Sequence, residues 1–130
     1  MAEYLLLANE SKHEYVHPSQ LGSGQKSAEI SDRGHAPGGA MAALWHLLWP
    51  PMLGDQSYEP VDRINDQVHG RWVGDNIRIV SDYVESDAYR TILDEWTEIS
   101  DLIRPVLSWW CGAIYEQRDG HWFRHEDPDR

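Results

Sequence analysis

The sequence predicts an α+β fold in which two β-hairpins form an antiparallel sheet and two or three helices cover it. Two observations indicate this fold. Short apolar runs flank turn-forming residues at 4–17 and at 72–83, which is typical of hairpins. Residues 38–48 and 86–111 carry apolar side chains at helical spacing, which is typical of helices with one buried face.

The first hairpin contains the spelling of a zinc-protease motif. Residues 13–17, HEYVH, match H-E-x-x-H, in which two histidines on one helical face bind zinc and the glutamate acts as general base. Pro18 follows directly and disfavours helical backbone at the residue before it. In a strand, His13 and His17 lie roughly 13 Å apart, which is too far to share one zinc ion. We therefore predict a strand here and an accidental match.

Turn residues and caps define the other predicted elements. The first helix ends before Pro50, and its spacing comes from five apolar side chains, Met41, Leu44, Trp45, Leu47 and Leu48. In the second hairpin, residues 72–73 and 77–83 are expected to be strands on either side of a tight turn. The rest of the chain predicts, in order, a helix from Ser86, a short strand at 96–99, a helix from Ser100 to Cys111 and a hairpin that turns at 118–120.

The composition is that of an acidic protein rich in tryptophan and tyrosine. Twenty-two acidic and eleven basic residues give a formal net charge of −11. This excludes nucleic-acid binding as the function, because binding to phosphate backbones depends on lysine and arginine. Seven tryptophans and six tyrosines accompany one phenylalanine. Side chains with an apolar body and a polar tip are typical of grooves and interfaces, which indicates a protein partner. The equally weighted alternative is that the tryptophans fill the core of a small domain.

Length and cysteine content indicate the class of protein. The 130 residues fit one compact domain, which we assign to residues 1–125, with a disordered tail at 126–130. Cys111 is the only cysteine, so we expect a cytoplasmic protein without a disulfide. No leader sequence and no apolar run of ~18 residues is present, which predicts no secretion and no membrane span. The adjacent Trp109 and Trp110 favour a homodimer, since two exposed tryptophans would be costly.

Histidines supply one alternative hypothesis, a small metal-dependent hydrolase. In it, His17, His35 and His69 gather with Asp75 or Asp82 into a metal centre. No two of these residues have a spacing that requires them to share a metal ion. We therefore predict no metal, no cofactor and no catalytic residue, while the hydrolase stays an open alternative.

A glycine-rich stretch supplies the other alternative, a pocket for a small ligand. Residues 21–27, LGSGQKS, invite comparison with a phosphate-binding P-loop. The comparison fails because Ser19 occupies the place of the first glycine of that motif. The hypothesis that stays open is that this stretch is a flexible turn and lines a ligand pocket together with Trp72.

Two blocks of the sequence resemble a family of small bacterial proteins for which no activity is established. The first block is K-x-E-Y-V-x-P at 12–18, followed by L-G-x-G-x-K at 21–26. The second block is G-R-W-x-G-D-x-I-x-I-V-x-D-Y at 70–83. The family's first block continues as F-G-D-G-L-K, so Ser23 stands here in place of an acid. The resemblance covers the chain up to residue 104 and implies a soluble bacterial domain without implying an activity.

We therefore predict a non-enzymatic binding or regulatory module of the immunity or inhibitor type. It is expected to engage a protein partner through an acidic surface that carries tryptophan and tyrosine. The residues that we expect to contribute all lie in the two blocks: Tyr15, His17, Trp72, Asp75 and Asp82. For Asp75 the alternative role is a turn former, and for Asp82 it is a salt bridge to an arginine.

Overall fold

The computed structural model describes residues 3–26, 37–49 and 67–126. These residues form an α+β fold, as the sequence predicts, with six strands, three α-helices and one 3₁₀ helix. In chain order the elements are β1 (Leu5–Asn9), β2 (Glu14–Val16), the 3₁₀ helix (Pro18–Leu21), α1 (Ala40–Leu48), β3 (Ile77–Ser81), α2 (Ser86–Glu95), β4 (Thr97–Glu98), α3 (Ser100–Cys111), β5 (Ala113–Arg118) and β6 (His121–Glu126).

The strands form two sheets. In the four-stranded sheet the order is β3-β1-β2-β4, and β1 runs antiparallel to both β2 and β3. Because β4 is parallel to β2, this sheet is mixed rather than purely antiparallel. The second sheet is the hairpin of β5 and β6. Its turn residues Asp119 and Gly120 both have positive φ, 52° and 80°, the geometry that matches the twist of a two-residue hairpin loop.

The hairpins at 4–17 and near the C-terminus are confirmed, but the predicted hairpin at 72–83 is wrong. Its second strand exists as β3, yet β3 pairs with β1, placing Ile79 opposite Leu7. Residues 72–73 form turns instead of a strand. Gly70 and Gly74 have positive φ, which permits turns, and the Trp72 amide donates to the carbonyl of the distant Leu47 at 3.0 Å. This segment is therefore bonded to the end of α1.

Apolar side chains cover both faces of the four-stranded sheet. On one face, Leu7 and Val16 join a cluster that includes Trp72 and the buried sides of α1 and α3. On the other face, α2 packs its Ile92 against a cluster from β1, β2 and β3, formed by Leu6, Ala8, Tyr15 and Val80. The alternation of neighbouring residues of β1 between the two clusters follows from the two-residue period of a strand.

Helices α2 and α3 begin at the predicted Ser86 and Ser100, whereas β3 ends at Ser81, two residues before the predicted end at residue 83. Residue 126 belongs to β6, and residues 127–130 of the predicted tail lie outside the described residues. Within the described part of the chain, no helix combines the length and the apolar character needed to cross a bilayer.

Replacing Gly22 with alanine is expected to destabilise the fold by about 2–3 kcal/mol. Gly22 has a φ of 68°, and a Cβ atom there would lie 2.8 Å from the backbone nitrogen of Arg124 on β6. Gly120 has a similar φ but open space around it, so alanine at position 120 should lose only about 1 kcal/mol from backbone strain. Urea unfolding of both variants measures the difference, and equal losses would contradict a close approach at Gly22.

Candidate functional site

The H-E-x-x-H spelling lies in a hairpin, so its prediction as non-helical is confirmed. His13 occupies the turn with a φ of 54°, and its ring stacks on Trp96 with centroids 4.6 Å apart. Glu14 starts β2 and is buried. Its carboxylate accepts hydrogen bonds from Arg71 Nε and from Trp72 Nε1, each at 3.0 Å, and forms an ion pair with Arg71. This carboxylate therefore joins β2 to the turns at 67–75.

The protonation of Glu14 reflects these partners. Burial by itself would raise the pKa of Glu14, but the hydrogen bonds from Arg71 and Trp72 and the charge of Arg71 outweigh burial and lower it. The same interaction raises the pKa of Arg71. Glu14 is thus a charged, fully bonded anchor, and a general base would instead need a free lone pair directed at a substrate or water.

Two of the predicted binding residues lie close to Glu14. Trp72 is fully buried in the core. Asp75 accepts a hydrogen bond from Asn9 Nδ2 at 2.9 Å and forms an ion pair with Lys12. These contacts lower the pKa of Asp75, with the hydrogen bond from Lys12 as the largest cause. The Asp75 amide also donates to the Trp72 carbonyl at 3.1 Å, so both residues belong to one turn that fastens the β1–β2 hairpin.

The other three predicted residues lie apart from this turn. Tyr15 is buried under α2, and burial raises its pKa. His17 caps the 3₁₀ helix, since its Nδ1 accepts from the Ser19 amide at 3.3 Å and lies 2.6 Å from Ser19 Oγ. Burial lowers the pKa of His17, consistent with a neutral ring. Asp82 accepts a hydrogen bond from the Tyr4 amide at 2.9 Å.

The metal hypothesis rests partly on a residue without a described position. His35 lies outside the described residues. Among residues 3–26, 37–49 and 67–126, no group of three or more histidine, cysteine, aspartate or glutamate side chains is placed to hold a metal ion.

A histidine pair lies between α1 and the turns that follow residue 67. His46 on α1 is buried, and its Nδ1 lies 2.8 Å from Nε2 of His69. Trp49 and Trp110 surround the pair, with centroid distances to the two imidazole rings of 4.8–6.0 Å. Burial, reinforced by His69, lowers the pKa of His46 to about 4. Burial also lowers the pKa of His69, so both rings are neutral at pH 7.

Helix α1 is apolar on two sides. Its inner side buries Ala40, Ala43, His46 and Leu47. Its other side, which we call the α1 outer face, bounds a groove of about 540 Å³. Among the residues that the structure describes, those lining the groove are all apolar: Met41, Leu44, Trp45, Leu48 and Trp49. Trp45 is 71% exposed and Leu48 is 42% exposed. The intervals of three and four residues follow from helical periodicity.

A smaller cleft lies between the glycine-rich turn and the C-terminal hairpin. It has a volume of about 340 Å³, and its walls are formed by residues 19–24, except Leu21, and residues 120–123. Trp122 lies in one wall, and the guanidinium of Arg104 lies 3.9 Å from the centre of its ring. Trp122 and Phe123 thus lie beside the glycine-rich turn, whereas Trp72, which was expected there, is buried in the core.

Sequence reasoning found the helical apolar spacing of α1 but did not recognise an exposed face. Four residues of the predicted stripe line the groove, whereas Leu47 is buried in the core. These four are Met41, Leu44, Trp45 and Leu48. The available signal was the absence of any charged residue between Pro37 and Pro50. A helix that lies on a protein surface usually carries a charged or polar side.

No protein-family model matches this chain, and neither a curated protein nor a solved structure matches it. The resemblance to a bacterial family therefore stays a prediction.

Proposed function

We propose that this protein is a binding module that engages a protein partner through the α1 outer face. The observation that carries the proposal is the high exposure of Trp45 in a groove whose described walls are apolar. The partner that fits is a protein segment that inserts a large apolar side chain beside Trp45. Basic residues of the partner surround that side chain. The regulatory role, of immunity or inhibitor type, follows from the small size and acidity of the chain.

The apolar character of both sides of α1 supports a partner. A helix without a polar side is normally buried on all sides, because exposed apolar area is unfavourable in water. Contiguous apolar patches that stay exposed on folded proteins commonly mark interaction sites. Tryptophan is also the residue type most enriched among the side chains that dominate binding energy.

The charge of the chain supports a basic partner. The described residues that line the groove are uncharged, while the whole chain carries a net charge of −11. A partner with an apolar anchor and basic surroundings would gain burial at the groove and attraction from the rest of the surface. The cleft beside the glycine-rich turn keeps the small-ligand hypothesis open. The groove decides our choice because it is larger and its described lining residues are all apolar.

Replacing Trp45 with glutamate is expected to weaken partner binding about 30-fold or more, the range expected for a central aromatic anchor. The partner is first identified in the native cells with a photo-crosslinking residue at position 41, which lines the same groove and leaves Trp45 in place, followed by mass spectrometry of the adduct. The protein in that adduct is then purified and titrated against the wild-type chain and the variant.

Phe123→Glu is the matched control. Phe123 is also a partly exposed aromatic residue, 43% exposed, but it lies on β6. Binding that survives Phe123→Glu and is lost with Trp45→Glu supports the proposal. Equal affinities of the two variants would contradict it, as would an adduct that contains only a second copy of the same chain.

A further inference from the structure

A serine and a histidine are hydrogen-bonded in the wall of the cleft beside the glycine-rich turn. Ser19 lines the cleft, and its Oγ lies 2.6 Å from Nδ1 of His17. The Ser19 amide donates to the same Nδ1 at 3.3 Å. A backbone N–H can only donate, so Nδ1 carries no proton and is the acceptor in both bonds. The Ser19 hydroxyl therefore donates its proton to the imidazole, which is the arrangement in which a general base activates a serine nucleophile.

The surroundings of His17 suit a general base of moderate strength. Burial lowers the pKa of His17, so the ring is neutral at pH 7 and can take up a proton. Pro18 lies between the two residues and is buried, and its ring restricts the backbone, so the pair is held in place. Among the residues that the structure describes, no side chain bonds the imidazole at Nε2, where a catalytic triad has a carboxylate. A base without that carboxylate favours esters over amides, because an ester has the better leaving group.

The cleft offers the other parts that acyl transfer needs. Its volume of about 340 Å³ lies within the range of pockets that hold small molecules. Its described lining residues include no lysine, arginine, aspartate or glutamate, while Trp122 and Phe123 supply an apolar wall, so an uncharged substrate fits. The side-chain amide of Gln20 and the backbone amide of Gly24 also lie in the lining, and neither donates to a residue that the structure describes. Such N–H groups stabilise the negative oxygen of a tetrahedral intermediate.

We propose that Ser19 is a catalytic nucleophile, with His17 as its general base, in the hydrolysis of small uncharged esters that bind in this cleft. Ser19 Oγ gives its proton to His17 Nδ1 and forms a bond to the carbonyl carbon of the ester. The bond from that carbon to the alcohol oxygen breaks, and His17 passes the proton to this oxygen, which releases the alcohol. Water then gives a proton to His17 and attacks the acyl-serine, so the carboxylic acid leaves and the proton returns to Ser19 Oγ.

Two measurements on the full chain near neutral pH test this activity. The first is hydrolysis of p-nitrophenyl acetate, which the wild-type chain is expected to accelerate over buffer alone and Ser19→Ala is not. The second is reaction with an alkyl fluorophosphonate, which forms a stable adduct with activated serines. Mass spectrometry of the digested chain should place that adduct on Ser19. A wild-type chain that hydrolyses the ester no faster than buffer, or an adduct found only on other residues, would overturn the proposal.

His17→Asn separates catalysis from the capping of the 3₁₀ helix. Asparagine is a favoured N-cap whose oxygen can accept from the Ser19 amide, but its amide cannot take up a proton. The variant should therefore keep the wild-type circular dichroism and lose about 100-fold in the rates of hydrolysis and adduct formation. His125→Asn is the matched control, because His125 is exposed and does not line the cleft, and it should keep both rates. Wild-type rates in His17→Asn or in Ser19→Ala would contradict the assigned roles.

Discussion

Replacing Glu14 with glutamine is expected to lower the free energy of unfolding by about 3 kcal/mol, because it breaks a buried charge pair on one side only. The carboxylate accepts from Arg71 and from the indole of Trp72, and Trp72 is fully buried. Glutamine keeps the shape but offers one acceptor oxygen and turns its amide hydrogens toward donors. An oxygen at the place of Oε1 keeps the hydrogen bonds from Arg71 Nε and Trp72 Nε1. The charged Arg71 Nη2, which is partly buried, then loses its acceptor and faces the amide hydrogens of glutamine.

Urea unfolding near neutral pH measures this loss, with Glu85→Gln as the control. Glu85 pairs with Arg78 near the surface, where an ion pair contributes at most about 1 kcal/mol. A double variant, Glu14→Gln with Arg71→Met, should lose less than the two single variants add up to, because each removes the same interaction. Additive losses, or equal effects of Glu14→Gln and Glu85→Gln, would contradict the anchoring role.

The anchoring role of Glu14 also shows how far the sequence could predict the local structure. Pro18 and the polar turn before residue 13 were enough to predict a hairpin in place of a zinc-binding helix. The Asp-Gly turn at residue 119 was likewise enough to predict the C-terminal hairpin. These signals act over a few residues. The partners of Glu14 lie more than fifty residues away, at Arg71 and Trp72, and no spacing in the sequence indicates that pairing.

The same limit explains the errors about the sheet and about Trp72. Gly70 and Gly74, on either side of Trp72, permit either a hairpin or a set of turns. The hydrogen bond from the Trp72 amide to the Leu47 carbonyl stabilises the turns. A strand that pairs with a distant strand, as β3 does with β1, also leaves no local signal. On α1, periodicity predicted the helix, but both of its sides are apolar, so the pattern did not tell which side is exposed.

The protein is expected to lose about 3 kcal/mol of stability as the pH falls from 6.5 to 4, because His46 resists protonation in the fold. Its pKa is lowered from 6.5 to about 4. Above pH 6.5, His46 is neutral in both the folded and the unfolded chain, so it does not alter stability. Between the two values, the unfolded chain binds a proton that the folded chain excludes, and acid therefore favours unfolding. His17 and His69, whose pKa values burial also lowers, act in the same direction.

Urea unfolding at about pH 7 and about pH 4, together with an NMR titration of His46, measures this effect. His46→Gln removes the titrating ring while keeping groups that can bond His69, so it should be less stable at neutral pH but should lose less on acidification. His121→Gln, on the exposed turn end of β6, should keep the wild-type pH dependence. If His46→Gln lost as much stability on acidification as the wild-type chain, the effect would belong to other groups. Because His46 lies on the inner side of the helix that carries Trp45, its protonation would loosen the α1 outer face, and partner binding at that face should weaken over the same pH range.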